Sequence, residues 1–446
     1  MKWLLSIFES AINHSAFIHE DRVVSYGEVL NNVFRFLVDI QSSGVKEGEL
    51  VVILGDYSPE VFCYMLALSL NNNIVIPLAR EGVIEQSEAL RVSGCDWLVE
   101  FDGSNTCAII KKHQILVKSD MLDEFKNNKT SGLIVFSSGS TGKPKAMLHD
   151  LNRVAEKFKN KRHPVIAIPF LMIDHFGGIN TILAITSSLG TLVTVKDRSV
   201  QNICRAIEKY AVELLPTTPS FLTLLAASGS YKNFRLDSLK KVTYGTEVMP
   251  QSTLDRIKKI IPSAILQQTY GLSEVGVLGS KSRDDGSLWV KIGGDGFETK
   301  VLDGVLWVKS KYRMIGYLNS PSNFDAEGWF NTQDKVEIDG DYFRILGRVT
   351  DIINVGGQKV YPAEVESIIL EMDNIKDVAV FGERNNLLGQ IVVAKVSLDN
   401  PEDIQALKKR IRHKCLGRLA NYKIPTKIFI TENSMQNSRS KKIRKI

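Results

Sequence analysis

Apolar residues along the chain fall into two alternating textures. Short unbroken runs rich in Val, Ile and Leu occur at 50–54, 74–78, 133–136, 165–168 and 192–195. Runs of that length predict strands buried on both faces. Between them, stretches such as 59–70 and 199–210 carry apolar residues at helical spacing. Strands alternating with helices predict parallel or mixed sheets with crossover connections, an α/β fold. From about residue 286 the texture changes to short strands at 288–292, 299–302 and 306–310, separated by Gly and Asp turns. This predicts a smaller β-rich subdomain. A last segment begins near residue 347. It holds a helix within 360–372 opened by Pro362, strands at 378–381 and 391–396, a helix at 402–415 and a basic tail.

Length and composition narrow the class. A chain of 446 residues exceeds one compact domain, so two or more are expected. Apolar content of 44% and charged content of 24% are those of an ordinary α/β protein with a large core. A net charge of +6 favours anionic partners no more than it favours solubility. Cys63, Cys95, Cys107, Cys204 and Cys415 show no metal-type spacing, which reads as reduced thiols in a cytosolic protein. The apolar start, WLLSIF, is short and runs into Glu9, Asn13 and His14 without a cleavage site, as an amphipathic first helix would. No run is long enough to span a bilayer. A cytoplasmic location, no stable membrane insertion and no nucleic-acid partner are therefore expected.

Three segments carry candidate chemistry. Ser137-Ser138-Gly139-Ser140-Thr141-Gly142-Lys143-Pro144-Lys145 directly follows the 133–136 run. Small residues let the backbone fold tightly, so that N–H and hydroxyl groups converge on phosphate oxygens, with two lysines beside them. A Walker loop is excluded, because Pro144 stands where Ser or Thr must follow the lysine. In Thr269-Tyr270-Gly271-Leu272-Ser273-Glu274, a hydroxyl and a carboxylate flank a Gly turn, suiting a metal–phosphate site. Asp334 in GWFNTQD and Arg348 in GRVTD could hold two ribose hydroxyls, or close a loop as a plain salt bridge.

In this order the three resemble the adenylate-forming superfamily of acyl-CoA synthetases, peptide-synthetase adenylation domains and luciferases, over nearly the whole chain. Ser25-Tyr26-Gly27-Glu28-Val29-Leu30 is similar to the family's "TYxEL", and SSGSTGKPK to its phosphate loop. Tyr244-Gly245-Thr246-Glu247 resembles "GGE", TYGLSE resembles "YGxTE", and GWFNTQD resembles "GWxxTGD". The segment from Gly356 to Glu366 resembles "GxxIxPxEVE", and Ser440-Lys441-Lys442-Ile443 resembles "SGKI".

The resemblance implies ATP-dependent formation of an acyl-adenylate, then acyl transfer to the thiol of coenzyme A. A carrier-protein phosphopantetheine, or a non-catalytic nucleotide-binding role, are the alternatives. It implies a large N-terminal domain, 1–348, and a small mobile α+β C-terminal domain, 349–446, carrying the catalytic Lys442. Thr141 and its loop would hold the β- and γ-phosphates, Glu274 would carry Mg²⁺, and Asp334 and Arg348 would bind ribose. Tyr270 and the Gly245–Glu247 turn would flank adenine. Thr350 aligns with a hinge usually Asp or Lys, Gly356 and Gly357 with the face offered to the acceptor thiol. Gln333 replaces the Gly of "TGD", and Lys441 the Gly of "SGK".

The acyl pocket should include Asp174, His175, Gly177 and Gly178, in the place of the family's "HxxG" helix start. His175 reads as a pocket wall or as a structural residue. Asp174 reads as a partner for a substrate ammonium or, preferred here, as the cap of the following helix. Lys408, Lys409, Arg410, Arg412 and Lys414 could meet CoA phosphates or an acidic carrier helix, or form a solvated face.

Overall fold

The computed structural model describes residues 1–80, 86–101, 108–115, 119–138, 144–160, 162–432 and 442. Two seven-stranded sheets dominate. The first runs, in spatial order, Ile265–Gln268, Lys241–Tyr244, Leu214–Thr217, Ile166–Ala167, Thr191–Val193, Ser15–His19 and Arg22–Ser25, parallel except for its last hairpin. The second is mixed: Gly316–Tyr317, Pro144–Asp150, Gly132–Ser138, Ile74–Leu78, Leu50–Leu54, Cys95–Phe101 and Ala108–Ile115. The continuous apolar runs at 50–54 and 74–78 are its central strands, buried at every position. Helix Pro59–Leu70 is apolar all round because it is covered all round, with only its last residue partly exposed. The helix at Tyr26–Ser42 starts on a capping box, Ser25 and Glu28 satisfying each other's backbone N–H groups.

The β-rich part begins earlier than its texture suggests, at Gly279–Ser282, and forms a six-stranded antiparallel sheet through Arg348. A separate apolar core follows, built only from residues 353–428, under a sheet of five strands. This last layer touches the rest through Ser367 and Ser252, 3.4 Å apart, and through Arg256 reaching the Leu370 carbonyl at 3.5 Å. No helix among the described residues is long and apolar enough to cross a membrane.

Candidate active site

Two adjacent parallel strands, Lys241–Tyr244 and Ile265–Gln268, end side by side and release the two loops that begin the site. Carboxyl ends of parallel strands are where open α/β sheets bind ligands. Gly245 packs directly on the neighbouring loop: a Cβ there would stand 2.6 Å from Thr269 Oγ1 and 2.7 Å from its carbonyl oxygen. Thr246 has φ +72°, a costly conformation for a β-branched residue. Glu247 follows, and its carboxylate accepts from the Ser220 hydroxyl at 2.6 Å and from the Lys442 N–H at 2.5 Å.

The second loop supplies Tyr270, Gly271, Ser273 and Glu274. Tyr270 is buried in an apolar cluster and donates its hydroxyl to Asp334 at 2.7 Å. Asp334 and Arg348 are direct partners across antiparallel strands, with Arg348 Nε 3.5 Å from the Asp334 carboxylate. Burial pushes the Asp334 carboxyl above its ordinary range, opposed by Arg348 and by the Tyr270 hydrogen bond. Glu274 accepts from the Tyr317 hydroxyl at 2.7 Å, and burial, with Glu274 beside it, raises the Tyr317 phenol. Lys145 lies 5.0 Å from the centre of the Tyr317 ring.

Ser137 pairs with Lys145, and Ser138 with Pro144, at the ends of two antiparallel strands. Gly139, Ser140, Thr141, Gly142 and Lys143 lie outside the described residues, as do Lys441 and Cys107. Lys442 comes from the other end of the chain, and its ammonium is held by the last sheet. It stands 2.7 Å from the Val378 carbonyl, 3.0 Å from Asp377 and 3.9 Å from Glu366.

The profile of the AMP-binding enzyme matches residues 8–318, and that of the AMP-binding enzyme C-terminal domain matches residues 364–442. The chain belongs to the AMP-binding enzyme family. Acyl-CoA synthetase 7 of Caenorhabditis elegans is 29% identical over 345 residues, covering 70% of this chain and 63% of its own. This chain therefore spans less than two thirds of that relative. Indoleacetate–CoA ligase of Aromatoleum aromaticum is 26% identical over 470 aligned positions, covering 92% of this chain and 90% of its own. An anthranilate CoA ligase solved with anthranoyl-AMP has the same fold, with a TM-score of 0.84 and 18% identity over 99% of this chain and 95% of that one.

On the acyl side of this AMP-binding enzyme, the helix Phe176–Thr186 is capped by His175, whose Nδ1 accepts from the Gly177 N–H at 3.0 Å. The expectation that Asp174 caps it is thus corrected: His175 holds the capping position, and Asp174 lies buried one residue earlier. Gly178 is required by crowding, since a Cβ would stand 2.1 Å from the Met172 carbonyl and 2.4 Å from the Tyr57 hydroxyl. Gly356 and Gly357 form a two-residue hairpin turn with φ +56° and +85°, as such a turn demands. Thr350 sits in the short turn Val349–Asp351 and donates to Asp351 at 3.2 Å. Of the basic run, Arg410 is taken by Glu402 and Lys414 by Glu371, while Lys409 and Arg412 are exposed. Tyr317 escapes a reading of the sequence. Tyr317 lies 43 residues from the Glu274 it binds, with no local motif to mark it.

Proposed function

We propose that the enzyme activates a carboxylic acid with ATP, releasing pyrophosphate, and passes the acyl group from the adenylate to the thiol of coenzyme A. The observation that carries this is the convergence of Glu274, Tyr317 and Lys145 beside the Tyr270–Asp334–Arg348 group. Asp334, set by Tyr270 and Arg348, would accept from ribose hydroxyls, and Lys145 would meet phosphate. Among the described residues no group of three or more ligating side chains could hold a metal. A single carboxylate still suits Mg²⁺, which keeps waters and takes other ligands from phosphate, so Glu274 would carry it. When bound, the ion would neutralise charge on the phosphate oxygens.

Lys442 would stabilise the charge that builds as the carboxylate attacks the α-phosphorus. Its ammonium is bound to Asp377 in the described geometry, so this role requires the last layer, which we place at 349–446, to turn about Thr350. In the other orientation, Gly356 and Gly357 would face the thiol. ATP–pyrophosphate exchange with fatty, aryl and amino acids, in the parent and in Lys442→Ala, tests the proposal. Exchange with one acid class, lost in the variant, is expected. Nucleotide binding without exchange for any acid would overturn it.

A further inference from the structure

Helix Tyr26–Ser42 buries one face, through Val29, Val33, Phe36 and Ile40, in the largest apolar core. Its opposite face is open, yet it is not polar throughout as a solvated face would be. At 3.6 residues per turn, Gly27, Phe34 and Val38 fall within about 40° of one another, with Asn31 beside them. Phe34 is 49% exposed and Val38 63%. Ile12, 50% exposed, extends this stripe past the start of the helix: its carbonyl accepts from the Gly27 N–H at 2.9 Å, and a Cβ on Gly27 would stand 3.4 Å from the Ile12 Cβ. From Gly27 to Val38 the stripe runs about 17 Å.

Charge marks one flank of the stripe. Arg35 and Asp39 are both exposed, one turn apart, and neither forms an ion pair among the described residues. The Arg35 guanidinium lies instead 4.7 Å from the centre of the Phe36 ring. A base four residues before an acid is the weaker order for a pair within one helix. Asp39 also stands in the last turn, where the helix's own carbonyl ends disfavour a carboxylate. The other flank, Leu37 and Gln41, is uncharged. An anionic membrane would call for a basic surround, whereas this stripe is flanked by one charge of each sign.

A second copy of the same helix relieves both features. Two copies set antiparallel about a twofold axis bring the same flank of each together, so a surface of this kind can complement itself. With the axis near residues 36–37, Arg35 of each copy faces Asp39 of the other, and Phe34 of each meets Val38 of the other. We infer that the enzyme self-associates as a twofold dimer through this face, closed by the Phe34–Val38 contacts and two Arg35–Asp39 ion pairs. A single helix pair buries less than the roughly 1,600 Å² of a standard interface, so a dissociation constant in the micromolar range is expected.

Sedimentation velocity of the full chain, from about 1 to 100 μM, tests this. The parent should pass from monomer to dimer across that range. Phe34→Asp should weaken the dimer by about 10-fold or more, because each copy loses its apolar contact. Arg35→Asp and Asp39→Arg should each weaken it about fivefold or more, since each sets like charges face to face at two places. Combined in one chain, the two reversals should bring association back to within about twofold of the parent. That recovery also guards against misfolding, since a damaged fold would not be repaired by a second substitution. A parent that stays monomeric at the top of the range, or a dimer indifferent to Phe34→Asp, would overturn the inference. So would species larger than a dimer, or a double reversal that associates no better than the single ones.

Discussion

Gln333 has φ +60°, in the left-handed region that costs an ordinary L-residue about 1 kcal/mol or more. It occupies the place where the family resemblance expects glycine, and the strain explains that expectation. Gln333→Gly should raise stability by about 0.5–1 kcal/mol, less the extra freedom glycine gains when unfolded. Urea unfolding measures this, and an unchanged or lowered midpoint counts against the strain. His149 has the opposite problem. It is fully buried, neither ring nitrogen has a hydrogen-bond partner among the described residues, and burial pulls its pKa down to about 3. The unfolded chain then binds more protons between about pH 6.5 and 3, so stability falls as pH drops through that window. By pH 5 the loss should reach about 2 kcal/mol. His149→Leu should flatten this dependence in thermal unfolding between pH 7 and 5; an equally steep profile would show that other groups set it.

Elements are legible in the sequence wherever burial is continuous. Strands Leu50–Leu54 and Ile74–Leu78 and helix Pro59–Leu70 have the bounds their apolar runs predict, because a covered element must be apolar throughout. The contacts between elements are not legible. Glu274 finds Tyr317 and Glu247 finds Ser220 only because the sheets bring distant strand ends together. The cap at residue 175 escapes such a reading because a histidine nitrogen does there what a carboxylate usually does. The tight seam between the two parallel strand ends gives an element-scale prediction. Gly245→Ala must push Thr269 away, costing about 1–3 kcal/mol, the range for overpacking. Since Thr269 leads into Tyr270 and Glu274, the KM for ATP in pyrophosphate exchange should rise together with the loss of stability. A stable variant with unchanged KM would mean that the loop accommodates the methyl group.

At the scale of the whole molecule, residue 442 joins two parts. Its backbone N–H is bound by Glu247, from the first of the strand-end loops, while its ammonium is bound by Asp377 and Val378 in the last sheet. The side chain is only 5% exposed, so Asp377 meets it with little screening by water. If Lys442 must leave this contact to serve adenylation, the contact sets the fraction of molecules competent for the first half-reaction. A charge-assisted hydrogen bond contributes about 1.5–3 kcal/mol, and Glu366 at 3.9 Å would retain part of the hold once Asp377 is neutralised. Asp377→Asn should therefore raise the rate of pyrophosphate exchange several-fold, up to about 10-fold. Overall thioester formation should gain less, because the role proposed for the lysine lies in the first half-reaction alone. An exchange rate equal to or below the parent's, in a variant whose unfolding midpoint is preserved, would mean that release from Asp377 does not limit the chemistry.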